Sequence, residues 1–175
     1  MSKIVKKMNG DGHEGEWLTE PEELASKAKG YWDTGYQLHI HTNGDKGHEV
    51  VLDIIENLIK ENPKDDHRTT LHHLGYSTEA QSKRIADLNM LVSANPYYLY
   101  VLGDKYSEMG LGPERATKIF RGQSLIENDI PLSLHSDFTM APVKPLTLAW
   151  VAANRITGNG NQLSPELQIS LDEAL

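Results

Sequence analysis

Residues 36–45 read YQLHIHTNGD, and their reading decides the fold. Tyr36, Leu38 and Ile40 alternate with Gln37, His39 and His41. That period of two predicts a strand over Tyr36–His41, with both imidazoles on one face beside Gln37. Thr42–Asp45 follows as a turn that ends at a plausible helix N-cap. Two histidines on one strand face are either solvated or look into a site, and the surrounding pattern has to separate these.

Downstream, KGHEVVLDIIENLIKENP places Val51, Ile54, Ile55, Leu58 and Ile59 on one helical face, closed off at Asn62-Pro63. RTTLHHL is a second strand. STEAQSKRIADLN is a second helix after this turn, with Thr78 and Gln81 in capping-box spacing. MLVSANP is a third strand and IPLSLHSD a fourth. Between them lie a long aromatic connection over 96–114, expected to be a functional loop or small insertion, and ATKIFRGQSLIEND, expected to be partly helical. VKPLTLAWVAANRIT is a further helix. Upstream, 1–18 is glycine-rich and loop-like, and a Thr19/Glu22 capping box with Pro21 opens a helix over Pro21–Trp32. Ser164-Pro165 is expected to open a helix running to Leu175.

The order is βαβαβ(loop)αβα, which implies an α/β fold with a parallel sheet. Two architectures fit: a doubly wound sheet, or an arc of a TIM-type (β/α)8 barrel of about four strands. HTNGDKG is no phosphate-binding fingerprint, and no GxxxxGK[ST] occurs, which favours the barrel. Nothing marks a boundary inside 1–175, so a single unit is expected.

The 175 residues carry a formal net charge of −8 and no basic stripe, which argues against a nucleic-acid partner. No apolar run approaches the ~20 residues of a membrane span. The N-terminal MSKIVKKMNG lacks the apolar centre of a signal peptide, so a cytoplasmic location is expected. Cysteine is absent, which excludes disulfides and thiolate metal sites.

In parallel α/β folds, sites form at the carboxyl ends of strands. Here those ends carry His41, His72-His73, Asn95 and His135-Ser136-Asp137. Histidine with carboxylate is the donor set of a divalent ion such as zinc. If His41, His73 and Asp137 point inward, they can meet around one ion. Alternation puts His135 and Asp137 on a face with Ser133, and His73 with Leu71, while His72 points the other way. His39 is either a second ligand or a partner standing behind one. His48 and His67 read as solvated.

With these residues in order, HIHTNGD, TLHHLGYST and IPLSLHSDFTMAP, the chain resembles the amidohydrolase superfamily, in its family 3 branch of N-substituted formamide deformylase-like enzymes. DGHEGEWLTEPEEL and SLDEAL extend the resemblance toward both ends. The resemblance implies that His41 follows the fifth barrel strand as a metal ligand and that Gly44-Asp45 forms its turn. It implies that His73 is the ligand of the sixth strand, with His72 the alternative. Asp137 is implied as the ligand of the eighth strand and as proton shuttle. His39, His72 and His135 are left as partners behind the ligands. A divalent metal, here expected to be zinc, and hydrolysis of an amide-type C–N bond in a small molecule are implied.

The family's first-strand His-x-His pair is not in the chain. Since a full barrel takes about 250 residues, the resemblance implies the second half of the barrel only. Thr42-Asn43 stands where Ala-Ile is common, and His135 where a small residue is usual. A half-barrel exposes two strand edges and an inner face, so a homo-oligomer is expected. The alternative is a non-catalytic binding or self-assembling α/β domain that keeps the shell.

Overall fold

The structure is a computed structural model, and it describes residues 17–175. Of the loop expected over 1–18, residues 1–16, with the first part of DGHEGEWLTEPEEL, lie outside the described residues.

Four strands form one sheet: β1 (His39–Thr42), β2 (Thr70–His73), β3 (Leu91–Ala94) and β4 (Leu132–Leu134), all parallel and ordered β1-β2-β3-β4. A doubly wound sheet reverses its strand order at a switch point. Sequential order without reversal is that of a barrel arc, so the doubly wound alternative falls away. Eight helices alternate with or follow the strands among the described residues: α1 (Pro21–Asp33), α2 (Asp45–Glu61), α3 (Glu79–Asp87), α4 (Gly103–Met109), α5 (Pro113–Ala116), α6 (Gly122–Glu127), α7 (Pro145–Asn154) and α8 (Leu171–Ala174).

Register separates the two sheet faces. His41 pairs with His72, His72 with Ser93 and Ser93 with Ser133, so these share one face. Ile40, Leu71, Val92 and Leu132 share the other. On that second face Leu71, Val92 and Ala94 are buried in one core with Leu52 and Ile55 of α2, Ile85 of α3, Leu125 of α6, and Val151 and Ala152 of α7. Each of the Leu, Ile and Val side chains among them contributes roughly 1.5–3 kcal/mol on burial. The first face keeps His39, His41 and Ser133 exposed. Helices thus cover one side of the sheet, and the side that faces the axis in a barrel carries the polar residues.

Some expectations of the elements hold and others are corrected. The Thr19/Glu22 capping box does not form: Pro21 is the first helical residue, so Glu20 takes the N-cap with extended backbone and no side-chain bond. The Thr78/Gln81 box forms in both directions. The connection over 96–114 is ordered as a π turn at Tyr98–Leu102 running into α4. The C-terminal helix does not start at Ser164. A 3-10 turn at Pro165–Leu167 is followed by extended Gln168, and Ser170 with Glu173 caps the short α8. Leu167 and Ile169 are both buried. Two residues apart they point to opposite sides of a helix, so one continuous helix could not bury both.

His48 and His67 are buried rather than solvated. His48 stands one turn before Val51 and Leu52 and two before Ile55 on the buried face of α2, and its Nε2 lies 3.3 Å from the Thr42 carbonyl. His67 donates from Nε2 to the Leu88 carbonyl at 2.8 Å and accepts at Nδ1 from the Thr69 backbone N–H at 3.0 Å. Its ring leans on Trp32.

Candidate metal centre

Two backbone features gather imidazoles at the carboxyl end of the sheet. Strand alternation carries His39, His41 and His72 to the uncovered face, with His135 two residues beyond Ser133 on the same side. Alternation alone would send His73 into the core beside Leu71. Instead, His73 and Leu74 take positive φ values of 76° and 47°, in the left-handed region, where non-glycine residues are uncommon. With β2 ending in this twist, the His73 ring packs on His41 with centroids 4.3 Å apart and on His135 at 4.8 Å. A run of five rings results: His72 contacts His39 at 5.1 Å and His135 at 5.8 Å.

Asp137 also has a positive φ, of 56°, and its backbone N–H donates to His135 Nδ1 at 3.1 Å. His135 Nε2 is buried without a hydrogen bond of good geometry. Burial pushes the His135 pKa down, while the Asp137 carboxylate and the Ser93 backbone act the other way. The His73 pKa is lowered to about 4, first by burial, then by His41 and His135, with Asp137 opposing. The His72 pKa is lowered by burial and then by His39 and His135. These rings are therefore neutral at neutral pH, the state in which an imidazole binds a metal.

Of the three expected ligands, the structure brings His41 and His73 into contact, while Asp137 meets the cluster through its backbone N–H on His135. Among the described residues, no three histidine or acidic side chains are arranged to hold a metal ion. The donor chemistry fits a divalent ion, and the convergence is at two strands rather than three.

The long connection supplies a further residue beside the imidazoles. Tyr98 Oη lies 3.3 Å from His73 Nδ1 and accepts from Asn43 Nδ2 at 3.1 Å. Burial raises the Tyr98 pKa, so the phenol stays neutral. Tyr97 and Tyr100 do pack, against each other and, for Tyr100, on Trp150. Tyr106 is half-buried beside the core. A tyrosine near the start of a helix that follows a strand end was the available signal for Tyr98; four tyrosines in ten residues hid it.

The turn after β1 is also built for closeness. The Gly75 backbone, after β2, sits where a Cβ would come within 3.1 Å of the Asn43 carbonyl oxygen and 3.2 Å of its Oδ1. Asn43 is thereby held between Gly75 and Tyr98. Asp45, the first residue of α2, pairs with Arg115 at 3.2 Å and takes Gln81 Nε2 on its carbonyl.

A sequence model of the amidohydrolase family matches residues 5–175. Among curated proteins, Protein LONG AFTER FAR-RED 3 of Arabidopsis thaliana is 30% identical over 160 residues, which is 90% of this chain and 27% of that protein. N-substituted formamide deformylase of Arthrobacter pascens is 28% identical over 157 residues, 90% of this chain and 28% of that protein. Two crystal structures share the fold. An uncharacterized metal-dependent hydrolase from Pyrococcus furiosus superposes with a TM-score of 0.77 at 22% identity, over 97% of this chain and 33% of that one. Another, from Pyrococcus horikoshii OT3, gives 0.73 at 24% identity over 97% and 32%. The chain thus spans about a third or less of the length of each.

Proposed function

Because this chain belongs to the amidohydrolase family, we propose that it is the part of a metal-dependent hydrolase barrel carrying the fifth, sixth and eighth strand ends. The observation that carries this reading is the His41–His73 pair, 4.3 Å between centroids on adjacent parallel strands. His41, His73 and Asp137 would hold a divalent ion, with zinc the best match to imidazole and carboxylate donors. When bound, such an ion lowers the pKa of water to about 7 and polarises a carbonyl.

The chain's own residues supply the rest. Tyr98, held by Asn43, fixes the His73 ring through Nδ1 and leaves Nε2 as the nitrogen directed elsewhere. Asp137 accepts the proton of the attacking water and delivers it to the leaving nitrogen, a base that becomes an acid. The substrate class is an amide-type C–N bond in a small molecule, in keeping with the deformylase relative. His135 packs on the His73 ring and steadies it, while His39 and His72 pair with each other beside it.

Metal analysis of the purified chain tests this reading. Zinc, manganese or iron binds, and His41→Ala lowers the bound amount. The reading fails if no divalent ion binds and His41→Ala changes nothing.

A second reading is a non-catalytic, self-assembling domain with the same shell. It is favoured by the uncovered inner face, on which His39 and His41 are exposed. Amide hydrolysis measured with and without a supplied preceding half-barrel separates the two: turnover only with both pieces supports the first, and none in either supports the second.

A further inference from the structure

Within one copy the candidate site is short of a ligand. His41 and His73 are in contact, while Asp137 meets their cluster through its backbone N–H on His135. Among the described residues no three histidine or acidic side chains are arranged to hold an ion. β4 stands three strands from β1, about 14 Å along the sheet at the usual strand spacing. Among the described residues β1 and β4 are also the two edges, so each leaves one side of its backbone unpaired.

The register fixes what a second copy would bring to these edges. His41, His72, Ser93 and Ser133 stand level across the sheet. The polar strand ends climb from that line: His73 is one residue beyond His72, Asn95 two beyond Ser93 and Asp137 four beyond Ser133. A barrel of eight strands with a shear of eight shifts by about eight residues in one circuit, hence by about four in each of two identical halves. The climb within one copy matches that shift. Parallel pairing of β4 in one copy with β1 in another therefore sets Asp137 beside His41 of the second copy. The helices flanking these edges carry exposed apolar side chains that such pairing covers, Tyr31 on α1 before β1 and Leu146 and Trp150 on α7 after β4. We propose that the metal site is shared between two copies of this chain: the His41–His73 pair of one copy takes its carboxylate from Asp137 of the other, and the two-fold axis makes two such sites. Three protein ligands leave the fourth position open, as in a catalytic site. The inference rests on the hydrolase reading and adds which copy provides the carboxylate.

Two mixed dimers, made by co-expressing differently tagged full chains, test this with zinc. His41→Ala paired with Asp137→Asn keeps one complete site if the site is shared, and none if each copy builds its own. Wild type paired with a chain carrying both substitutions gives the reverse. Zinc retained after gel filtration is counted by elemental analysis, and the mass is read by light scattering. Two ions are expected on the wild-type dimer, one on the first mixed dimer and none on the second. His41 is exposed, and asparagine tolerates the positive φ of Asp137, so both variants should stay folded, which circular dichroism checks. The proposal is overturned, with the hydrolase reading left standing, if the wild-type chain binds zinc as a monomer or if the first mixed dimer retains no more zinc than its two parent variants. One ion on the second mixed dimer overturns it equally. A wild-type chain that binds no zinc overturns both.

Discussion

At the residue scale, three side chains carry more than their type suggests. Tyr98 bridges Asn43 and His73, so removing one oxygen should loosen the ring that the hydrolase reading makes a ligand. Tyr98→Phe is expected to weaken divalent-metal binding by about 10–100-fold with little change in stability, read by competition with a chelating dye. Arg155 is fully buried and donates to four backbone carbonyls, those of Leu163, Phe120, Thr117 and Ile119. Burial lowers its pKa to about 10, so it stays charged at neutral pH. Arg155→Met orphans these carbonyls and should cost roughly 3 kcal/mol or more in urea unfolding, with Arg155→Lys failing to restore it, since a point charge cannot span the fork. His48 is buried with its pKa lowered to about 4, burial being the main cause. The unfolded chain, near 6.5, binds the proton more readily, so stability from this group is complete above about pH 6.5 and falls as pH drops toward 4. The full loss is on the order of 3 kcal/mol. His48→Gln should therefore flatten the decline of the unfolding free energy between those pH values, although His73, buried with the same sign of shift, still contributes its own share.

At the element scale, local chemistry fixes ends and tertiary packing fixes the rest. The Thr78 box closes both of its bonds, and Thr78→Ala should cost about 1 kcal/mol in thermal or denaturant unfolding. The four strands and α2 were legible from their apolar runs and periods, and α7 from its apolar run after Pro145. Thr19 misled because Pro21 starts α1 one residue too late for it to cap. The helix expected from Ser164 misled because burial of both Leu167 and Ile169 outweighs helical continuity. Of the site, His41 and the ends of β2 and β4 could be read from strand spacing. The turn of His73 toward His41 could not, because it depends on left-handed backbone at two non-glycine residues, against the alternation that spacing encodes. Buried His48 was hidden for a related reason: it lies one turn before the apolar stripe, where a histidine reads as polar.

At the scale of the molecule, the sheet leaves two edges unpaired among the described residues. Among the described residues β1 and β4 are edge strands, and each is flanked by exposed apolar side chains. Tyr31 and Tyr36 stand in edge-to-face contact near β1, with Tyr36 65% exposed. Beyond β4, Met140 is 84% and Leu146 73% exposed, and Trp150 lies one turn after Leu146 on α7. α7 is apolar on its outer as well as its inner side, the pattern of a helix covered on both. Unpaired backbone beside such surface favours association. Parallel pairing of β4 in one copy with β1 in another, repeated about a two-fold axis, would close eight strands, the number of a packed barrel. The chain is therefore expected to self-associate, with light scattering giving a mass above that of a monomer and Leu146→Glu with Trp150→Glu shifting it down. A monodisperse monomer at high concentration would sink this expectation. If the double variant leaves the oligomer intact, the contact does not run through α7 and the edge-to-edge arrangement falls, even though association itself stands.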